Sequence, residues 1–421
     1  MIDLRPNRRR FAATALGLAG IAALPAALRA AAIDTSGLTP ITNGLKPIDA
    51  AERAARIARA QALMAKAGMA AIVVEPGSSL DYFTGIKWWR SERVTAAIIP
   101  ASGQPVIVTP FFEEPSVRQS LGVQAEVRVW QEDEDPLALV AEALRQAGGA
   151  TSAIGIEETV RFFISDGLAR RLPQARIASA NPVVRACRMV KTATEIALMQ
   201  AASDVTLTAQ RWAWQRIRGG MTPGDIAALI DAATAALGGK ASDGLVLLGE
   251  ASAYPHGSAK PQAVREGEVV LIDCGCSVGG YASDISRSFV FGRVPDDVRR
   301  VWDVVAEGQQ RALAAAQLGT PAGAVDDAVR AFYESKGFGP RYQLPGLSHR
   351  TGHGIGMDGH EPVNLVHNEA TPLAPGMCFS NEPGLYLPGR FGIRLEDCFH
   401  MTDAGPQWFS TPPRSIDAPF G

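Results

Sequence analysis

Five residues with carboxylate or imidazole side chains are spaced so that they could bind divalent metal ions: Asp273, Asp284, His353, Glu382 and Glu396. Around Asp273 the chain reads VVLIDCGCSVGGYASDISRSFVF, two β-prone runs joined by Gly279-Gly280. The spacing predicts a hairpin in which Asp273 and Asp284 are cross-strand partners. Directly opposed side chains lie roughly 4.5–5.5 Å apart, where two bare carboxylates would repel each other. The pair therefore indicates a cation between them.

A second acidic hairpin is predicted in FSNEPGLYLPGRFGIRLEDCF, where a turn near Gly389 places Glu382 opposite Glu396. Between the two hairpins lies SHRTGHGIGMDGHEP, which contains three of the chain's six histidines, His349, His353 and His360. One imidazole and four carboxylates suit divalent cations, Mn²⁺ first, with Zn²⁺, Co²⁺ or Fe²⁺ as alternatives. Because four negative charges balance two dications, we expect a two-metal centre with a water or hydroxide between the ions.

The order of these motifs resembles that of the pita-bread metallopeptidases, the family that contains aminopeptidase P and prolidase. The shared pattern is D-x10-D, H-x-x-G-x-D-x-H, N-E-P-G and R-x-E-D. Three features fit the proline-specific branch of this family: His256 in AYPHGSAK, the pair Gly280-Tyr281, and Arg394 two residues before Glu396. The resemblance extends weakly over about residues 47 to 410 and is specific over about 254 to 400.

The family resemblance implies how the ligands are distributed between the two metals. Asp284 and Glu396 would bridge both metals. Asp273 would hold one metal, and His353 with Glu382 the other. Glu382 is also the candidate proton shuttle.

The resemblance further implies roles for residues around the metals. His360 would contact the scissile carbonyl or the tetrahedral oxyanion, and His256 with His349 would form walls around the residue after the cleaved bond. Arg394 would either orient the carboxylates or bind a substrate's free carboxylate. The loop Trp88-Trp89-Arg90 is interpreted as ordinary packing with a surface charge, the alternative being a lid over a partner's active site.

The pattern along the chain predicts two domains. AAIVV, TAAIIP and PVIVTP alternate with helix-like stretches, which indicates an α/β domain over residues 48–190. The composition shifts near residues 188–192, and a long helix capped by Thr192 or Thr194 should follow to about residue 217. The resemblance implies that residues 191–421 form an α+β pita-bread catalytic domain, and we expect a homodimer.

The first thirty-two residues have the composition of a targeting segment. RRRF at positions 8–11 precedes an uncharged apolar run to residue 28 and small residues at 30–32, a pattern that resembles a twin-arginine signal. We predict a signal peptide over 1–32, a linker over 33–47 and a periplasmic or secreted protein. A membrane anchor is the alternative, disfavoured because the run is rich in alanine and glycine and is broken by Pro25.

Composition and charge restrict the classes of function. A chain of 421 residues with 47% hydrophobic content can bury two cores. The formal net charge is −2, of which residues 1–32 contribute +4, leaving −6 on the remainder, so nucleic-acid binding is disfavoured. The five cysteines, an odd number, are interpreted as small buried side chains rather than a disulfide framework or a zinc-thiolate site.

We therefore predict an exported dinuclear-metal hydrolase that cleaves short proline-containing peptides, an Xaa-Pro dipeptidase. A pocket shaped for pyrrolidine would select a tertiary amide, which lacks an N–H, by shape. The alternatives are an Xaa-Pro aminopeptidase acting on longer peptides and a metal-dependent lyase or amidinohydrolase on the same fold. A non-catalytic binding module is a further class, which the intact set of ligands disfavours.

Overall fold

A computed structural model of the chain describes residues 33–242 and 244–420. The predicted signal peptide over 1–32 lies outside these residues. Among the helices that are described, none has the length and apolar character needed to cross a membrane.

The N-terminal part of the described chain is an α/β domain, as predicted. Its helices are α1 (Ala50–Ala67), α2 (Ser78–Thr84), α3 (Glu114–Ser120), α4 (Pro136–Gln146), α5 (Phe162–Arg171) and α6 (Asn181–Met189). Its strands are β1 (Met69–Val74), β2 (Ala96–Pro100), β3 (Val106–Pro110), β4 (Glu126–Trp130), β5 (Ala153–Ile156) and β6 (Arg176–Ser179). They form a mixed sheet of order β4-β3-β2-β1-β5-β6, in which β2 is antiparallel to both neighbours. Apolar clusters cover both faces of this sheet, which explains the nearly continuous apolar runs of its strands.

The C-terminal part combines helices with several antiparallel sheets. Its helices are α7 (Ala193–Trp214), α8 (Pro223–Ala236), α9 (Asp296–Ala315) and α10 (Ala322–Ser335). Its first strands are β7 (Lys240–Ala241), β8 (Leu245–Leu248), β9 (Val269–Cys274), β10 (Cys276–Val278), β11 (Tyr281–Ala282) and β12 (Ile285–Val290). The later strands are β13 (Gly352–Gly354), β14 (Glu361–Leu365), β15 (Cys378–Asn381), β16 (Gly384–Leu387), β17 (Phe391–Arg394), β18 (Asp397–Thr402) and β19 (Gly405–Trp408). Helix α7 begins with a capping box between Thr192 and Glu195, so Thr192 is the cap of the two that the sequence allows.

The first acidic hairpin turns at the predicted glycines. Gly279 and Gly280 lie between the paired residues Val278 and Tyr281. Their φ angles are 60° and 90°, which a two-residue hairpin turn of this kind requires and which glycine adopts without strain.

The prediction that Asp273 lies directly opposite Asp284 is wrong. Asp273 pairs with Ser286 between β9 and β12, so Asp284 is displaced by two residues along the neighbouring strand. The error arises because the prediction centred the turn one residue too early, and each residue of error moves the partner by two. Diagonal positions on one face are still only about 7–8 Å apart. The two carboxylates can therefore share a cation from these positions.

The second acidic hairpin has the predicted register. Asn381 pairs with Asp397 on one side and Gly384 with Arg394 on the other, which leaves Glu382 and Glu396 opposite each other between two short ladders. The backbone of each glutamate bonds to a different neighbour. Glu382 N donates to Thr351 O over 2.8 Å, beside β13, and Glu396 N donates to Ser286 O over 3.1 Å, in β12. These bonds join both hairpins and the histidine strand β13 into one site.

Ion pairs around Glu361 connect Arg188 of the N-terminal domain to the C-terminal domain. Arg188, in α6, pairs with Asp358 and Glu361, and Lys191 Nζ lies 3.1 Å from Glu361 Oε2. Glu361 is buried, with 6% of its surface exposed, and follows His360 directly in the chain. The loop that presents His360 is thus attached to the N-terminal domain.

Residues 33–47, predicted as a linker, lie against the C-terminal domain. Ile33, Leu38 and Leu45 pack on the core that α7 and α8 share, and Ile41 N donates to Leu237 O over 3.0 Å. All five cysteines are buried and unpaired, in agreement with their interpretation as small core side chains.

Candidate metal centre and active site

One cavity of about 1060 Å³ in the C-terminal domain brings together the residues that the sequence singles out. Its lining includes all of the predicted site residues: Asp273, Asp284, His353, Glu382, Glu396, His256, His349, His360 and Arg394. These residues come from β9, β13, β17 and the segments between strands, and they span more than a hundred positions of sequence.

The five predicted ligands form two overlapping groups. Asp273, Asp284 and Glu396 form the first, and His353, Glu382 and Glu396 form the second. The candidate ligand atoms within each group lie within 4.8 Å of one another. His353 Nε2 lies 3.4 Å from Glu382 Oε1 and 3.9 Å from Asp284 Oδ2. Glu396 belongs to both groups, and Asp284 also forms a group with His353 and His360, so the arrangement suits two neighbouring cations that share carboxylates.

The electrostatics of the cluster favour a bound cation. Burial first, and then repulsion by neighbouring carboxylates, raise the pKa of Asp284 and of Glu396 well above the ordinary values. Burial also raises the pKa of Glu382, with Asp273 adding to the effect. Oε1 of Glu396 is buried and has no hydrogen-bond partner in the described chain. Such an oxygen is costly unless it is satisfied, so the residues present fit divalent metal ions.

His353 is oriented to act as a ligand through Nε2. Its Nδ1 lies 3.0 Å from Gly354 O, which makes Nδ1 the protonated donor and directs the Nε2 lone pair toward the carboxylates. Burial lowers the pKa of His353 to about 3, with the nearby His360 contributing, so the imidazole is neutral. Neutral imidazole is the metal-binding form.

Arg394 is fully engaged in holding the cluster. Nη2 pairs with Asp273, Nη1 donates to Tyr386 Oη over 2.9 Å, and Nε donates to Ser286 Oγ over 3.1 Å. Only 3% of its surface is exposed. Of the two roles considered for Arg394, the contacts favour orienting the carboxylates over binding a substrate carboxylate.

The three other histidines predicted for the site lie around the cluster. The ring centroid of His360 is 4.0 Å from that of His353, and His360 is exposed to the cavity. His349 Nδ1 donates to Arg350 O over 2.7 Å, so its Nε2 accepts the hydroxyl of Tyr386, also over 2.7 Å. His256 lies exposed at the cavity wall.

Three residues that support the site were missed from the sequence. Tyr386 connects Arg394 to His349, Ser286 Oγ donates to Glu396 Oε2 over 2.7 Å, and Arg350 lines the cavity. Tyr386 could have been found, because it follows Glu382 at a strand spacing that places both on one face. Ser286 could not have been found in this way, because its place in the site depends on the register of the first hairpin, which was predicted wrongly.

Known proteins resemble this chain over most of its length. Residues 197–403 match Metallopeptidase family M24, and residues 56–190 match the Creatinase/Prolidase N-terminal domain. Probable dipeptidase PepE of Mycobacterium tuberculosis is 34% identical over 366 residues, covering 86% of this chain and 95% of that protein. An Xaa-Pro dipeptidase of Lactobacillus helveticus is 31% identical, covering 79% of this chain and 90% of the relative. The crystal structure of dipeptidase PepE from Mycobacterium ulcerans superposes with a TM-score of 0.80 at 33% identity, covering 88% of this chain and 98% of that one.

The fold and the site define a metal-dependent peptidase. The chain belongs to metallopeptidase family M24 and carries a creatinase/prolidase N-terminal domain. The resemblance drawn from the motifs is therefore confirmed, as is the predicted fold of an α/β domain followed by a pita-bread catalytic domain.

Proposed function

We propose that this protein is an Xaa-Pro dipeptidase, which hydrolyses the bond before proline in short peptides. The observation that carries the proposal is the convergence of the four carboxylates and His353 in one cavity, with further histidines around them. Relatives that cover most of the chain and are described as dipeptidases or Xaa-Pro dipeptidases support it.

We propose that the cluster holds two divalent ions, with Mn²⁺ as the first candidate because the ligand set is rich in oxygen. Asp273 would hold one ion, His353 and Glu382 the other, and Asp284 and Glu396 would contribute to both, since Asp284 Oδ2 also lies 3.9 Å from His353 Nε2. When bound, such ions supply an activated water at neutral pH and polarise the scissile carbonyl.

The chain's own residues would carry the proton and bind the substrate. Glu382 would take the proton of the attacking water and deliver it to the proline nitrogen. His360 donates a hydrogen bond to the oxygen of the scissile carbonyl. His256 and His349 border the pyrrolidine ring, and Tyr386 holds His349 in place.

An Xaa-Pro aminopeptidase acting on longer peptides is the second candidate. Its support is the engagement of Arg394, whose nitrogens are bonded to Asp273, Tyr386 and Ser286. A dipeptidase needs a group that recognises the nearby carboxylate of its substrate, and Arg394 is not free to do so.

A substrate panel with Mn²⁺ tests both candidates. Xaa-Pro dipeptides, Xaa-Pro-Yaa tripeptides and small sulfonium or guanidino compounds would be compared by product analysis. We expect proline release from dipeptides with kcat/KM at least about tenfold above that for tripeptides, the scale of discrimination that one missing contact provides. Faster turnover of tripeptides would favour the aminopeptidase. Turnover of the small compounds alone would contradict both peptidase assignments.

We also propose that the protein is exported through the twin-arginine route, on the basis of RRRF at positions 8–11. Replacing Arg8 and Arg9 together by lysine should leave the precursor in the cytoplasm, folded and active in the lysate. Cell fractionation and activity measurements would show this. An unchanged periplasmic yield would contradict the proposed route.

A homodimer is part of the same proposal. Trp88 and Trp89 stack with their centroids 4.8 Å apart, and 68% of the Trp89 surface is exposed. An exposed aromatic pair of this kind is typical of a protein contact.

A further inference from the structure

Arg350 is a positively charged side chain in the active-site cavity without an anionic partner. Its Nη1 donates to Asn364 Oδ1 over 2.9 Å, and its Nη2 lies 3.3 Å from His360 Nδ1. No carboxylate in residues 33–242 and 244–420 forms an ion pair with it. Arg394 lines the same cavity but, unlike Arg350, forms an ion pair with Asp273.

The position of Arg350 is fixed by the strands that carry the candidate ligands. Asn364, which receives Nη1, is the cross-strand partner of His353 between β13 and β14. The side chain is half-buried and lines the cavity together with His360. Nε of Arg350 has no hydrogen-bond partner within the described chain, and Nη2, which carries two hydrogens, contacts only His360 Nδ1, so the edge formed by Nε and Nη2 retains free donors. That edge is the one that a guanidinium offers to a carboxylate for two parallel hydrogen bonds.

The charges in the cavity indicate what this edge of Arg350 would bind. Four carboxylates in the cluster are matched by two dications when the proposed metals are bound. Arg394 and Arg350 then add positive charge to the cavity, and of these two arginines only Arg394 contacts a carboxylate in the described chain, that of Asp273. A half-buried guanidinium gains more from an anion than an exposed one does, because solvent screens the pair less.

We propose that Arg350 binds a carboxylate of the substrate and thereby determines specificity. The inference rests on the proposed function, since it assumes that proline-containing peptides occupy this cavity. Two carboxylates present the same planar anion to Arg350: the C-terminal carboxylate of a dipeptide, and the side chain of an acidic residue before proline. Arg350 thus supplies the anion-recognising group that Arg394 cannot.

A comparison of matched substrates separates the two sources. We would measure kcat/KM of the Mn²⁺-loaded full chain for Ala-Pro, Ala-Pro-amide and Asp-Pro, in the wild type and in Arg350→Met. If Arg350 binds the C-terminal carboxylate, kcat/KM of the variant should fall by at least about tenfold for Ala-Pro and by less than about twofold for Ala-Pro-amide. If an acidic side chain is bound, the loss should fall on Asp-Pro and spare Ala-Pro. Either selective loss supports the proposal.

Two further variants control for charge and folding. Lys240→Gln removes a positive charge from the same cavity and should leave the substrate ratios unchanged. Arg350→Lys retains the charge without the planar fork and should show the same selective loss to a smaller extent, which keeps the test valid if Arg350→Met does not fold. Arg394→Lys should impair acid and amide substrates equally, because Arg394 acts on Asp273.

Several outcomes would overturn the inference. Equal losses on Ala-Pro, Ala-Pro-amide and Asp-Pro in Arg350→Met would show that Arg350 only supports His360 and Asn364. An unchanged Arg350→Met enzyme, or the same selective loss in Lys240→Gln, would also overturn it. Failure of the proposed function has a different signature, namely a wild-type enzyme that binds metal and releases no proline from any of the three substrates.

Discussion

Replacing Glu396 by glutamine should remove most of the activity and at least one of the metal ions that the enzyme binds. Glu396 belongs to both candidate ligand groups, and its Oε1 is buried without a partner in the described chain. An amide of the same shape carries no charge and turns a donor toward the metals. We expect kcat/KM to fall by more than about 100-fold, because residues that only support a ligand already cost 10–100-fold.

Elemental analysis and steady-state kinetics would measure this result together. The wild type should contain about two divalent ions per chain, lose activity on chelation and recover best with Mn²⁺. Ser286→Ala is the matched control, because it removes a hydrogen bond to Glu396 Oε2 and leaves every candidate ligand in place. It should retain its metal and lose less activity than Glu396→Gln. A Glu396→Gln enzyme with full metal content and full activity would contradict the two-metal site.

The second large effect is expected on stability, at the buried ion pair beneath Glu396. Arg287 Nη2 lies 2.7 Å from Asp397 Oδ1, and neither side chain is exposed. Arg287 Nη1 also donates to Glu396 O over 2.9 Å. Arg287→Met removes the cation and leaves the Asp397 carboxylate buried, a change that typically costs about 3–5 kcal/mol of folding free energy.

Chemical denaturation of the metal-free proteins would measure the loss without interference from ligand binding. Arg299→Met is the control, because Arg299 forms an ion pair with Asp417 in which both side chains are substantially exposed. This control should shift the unfolding midpoint little, since exposed pairs contribute little. A midpoint for Arg287→Met as close to the wild type as that of the control would contradict the expected role of the buried pair.

Local patterns in the sequence account for much of the fold. The capping box at Thr192, the two-glycine turn at Gly279-Gly280 and the register that opposes Glu382 to Glu396 all depend on residues close together in the chain. The order of the motifs indicated the family, and the family resemblance predicted that the metal ligands lie together in one site.

The supporting contacts of the site could not be predicted in the same way. Arg394 reaches Asp273 across 121 positions of sequence, and Ser286 reaches Glu396 across 110. A period of two indicates which face a side chain occupies but not which hairpin packs against that face. For this reason the sequence left both roles of Arg394 open and did not reveal that Arg350 lines the cavity without an ion pair in the described chain.

The ion pairs of Glu361 affect whether the two domains of this chain can be separated or exchanged. A recombinant fragment beginning at α7 would retain every candidate metal ligand but would lack both Arg188 and Lys191, the cations that Glu361 contacts. The carboxylate next to His360 would then be buried without compensation, and the loop would have to rearrange to hydrate it. Exchange of N-terminal domains between relatives would therefore be expected to alter the catalytic pocket itself, even though that domain contributes no candidate ligand.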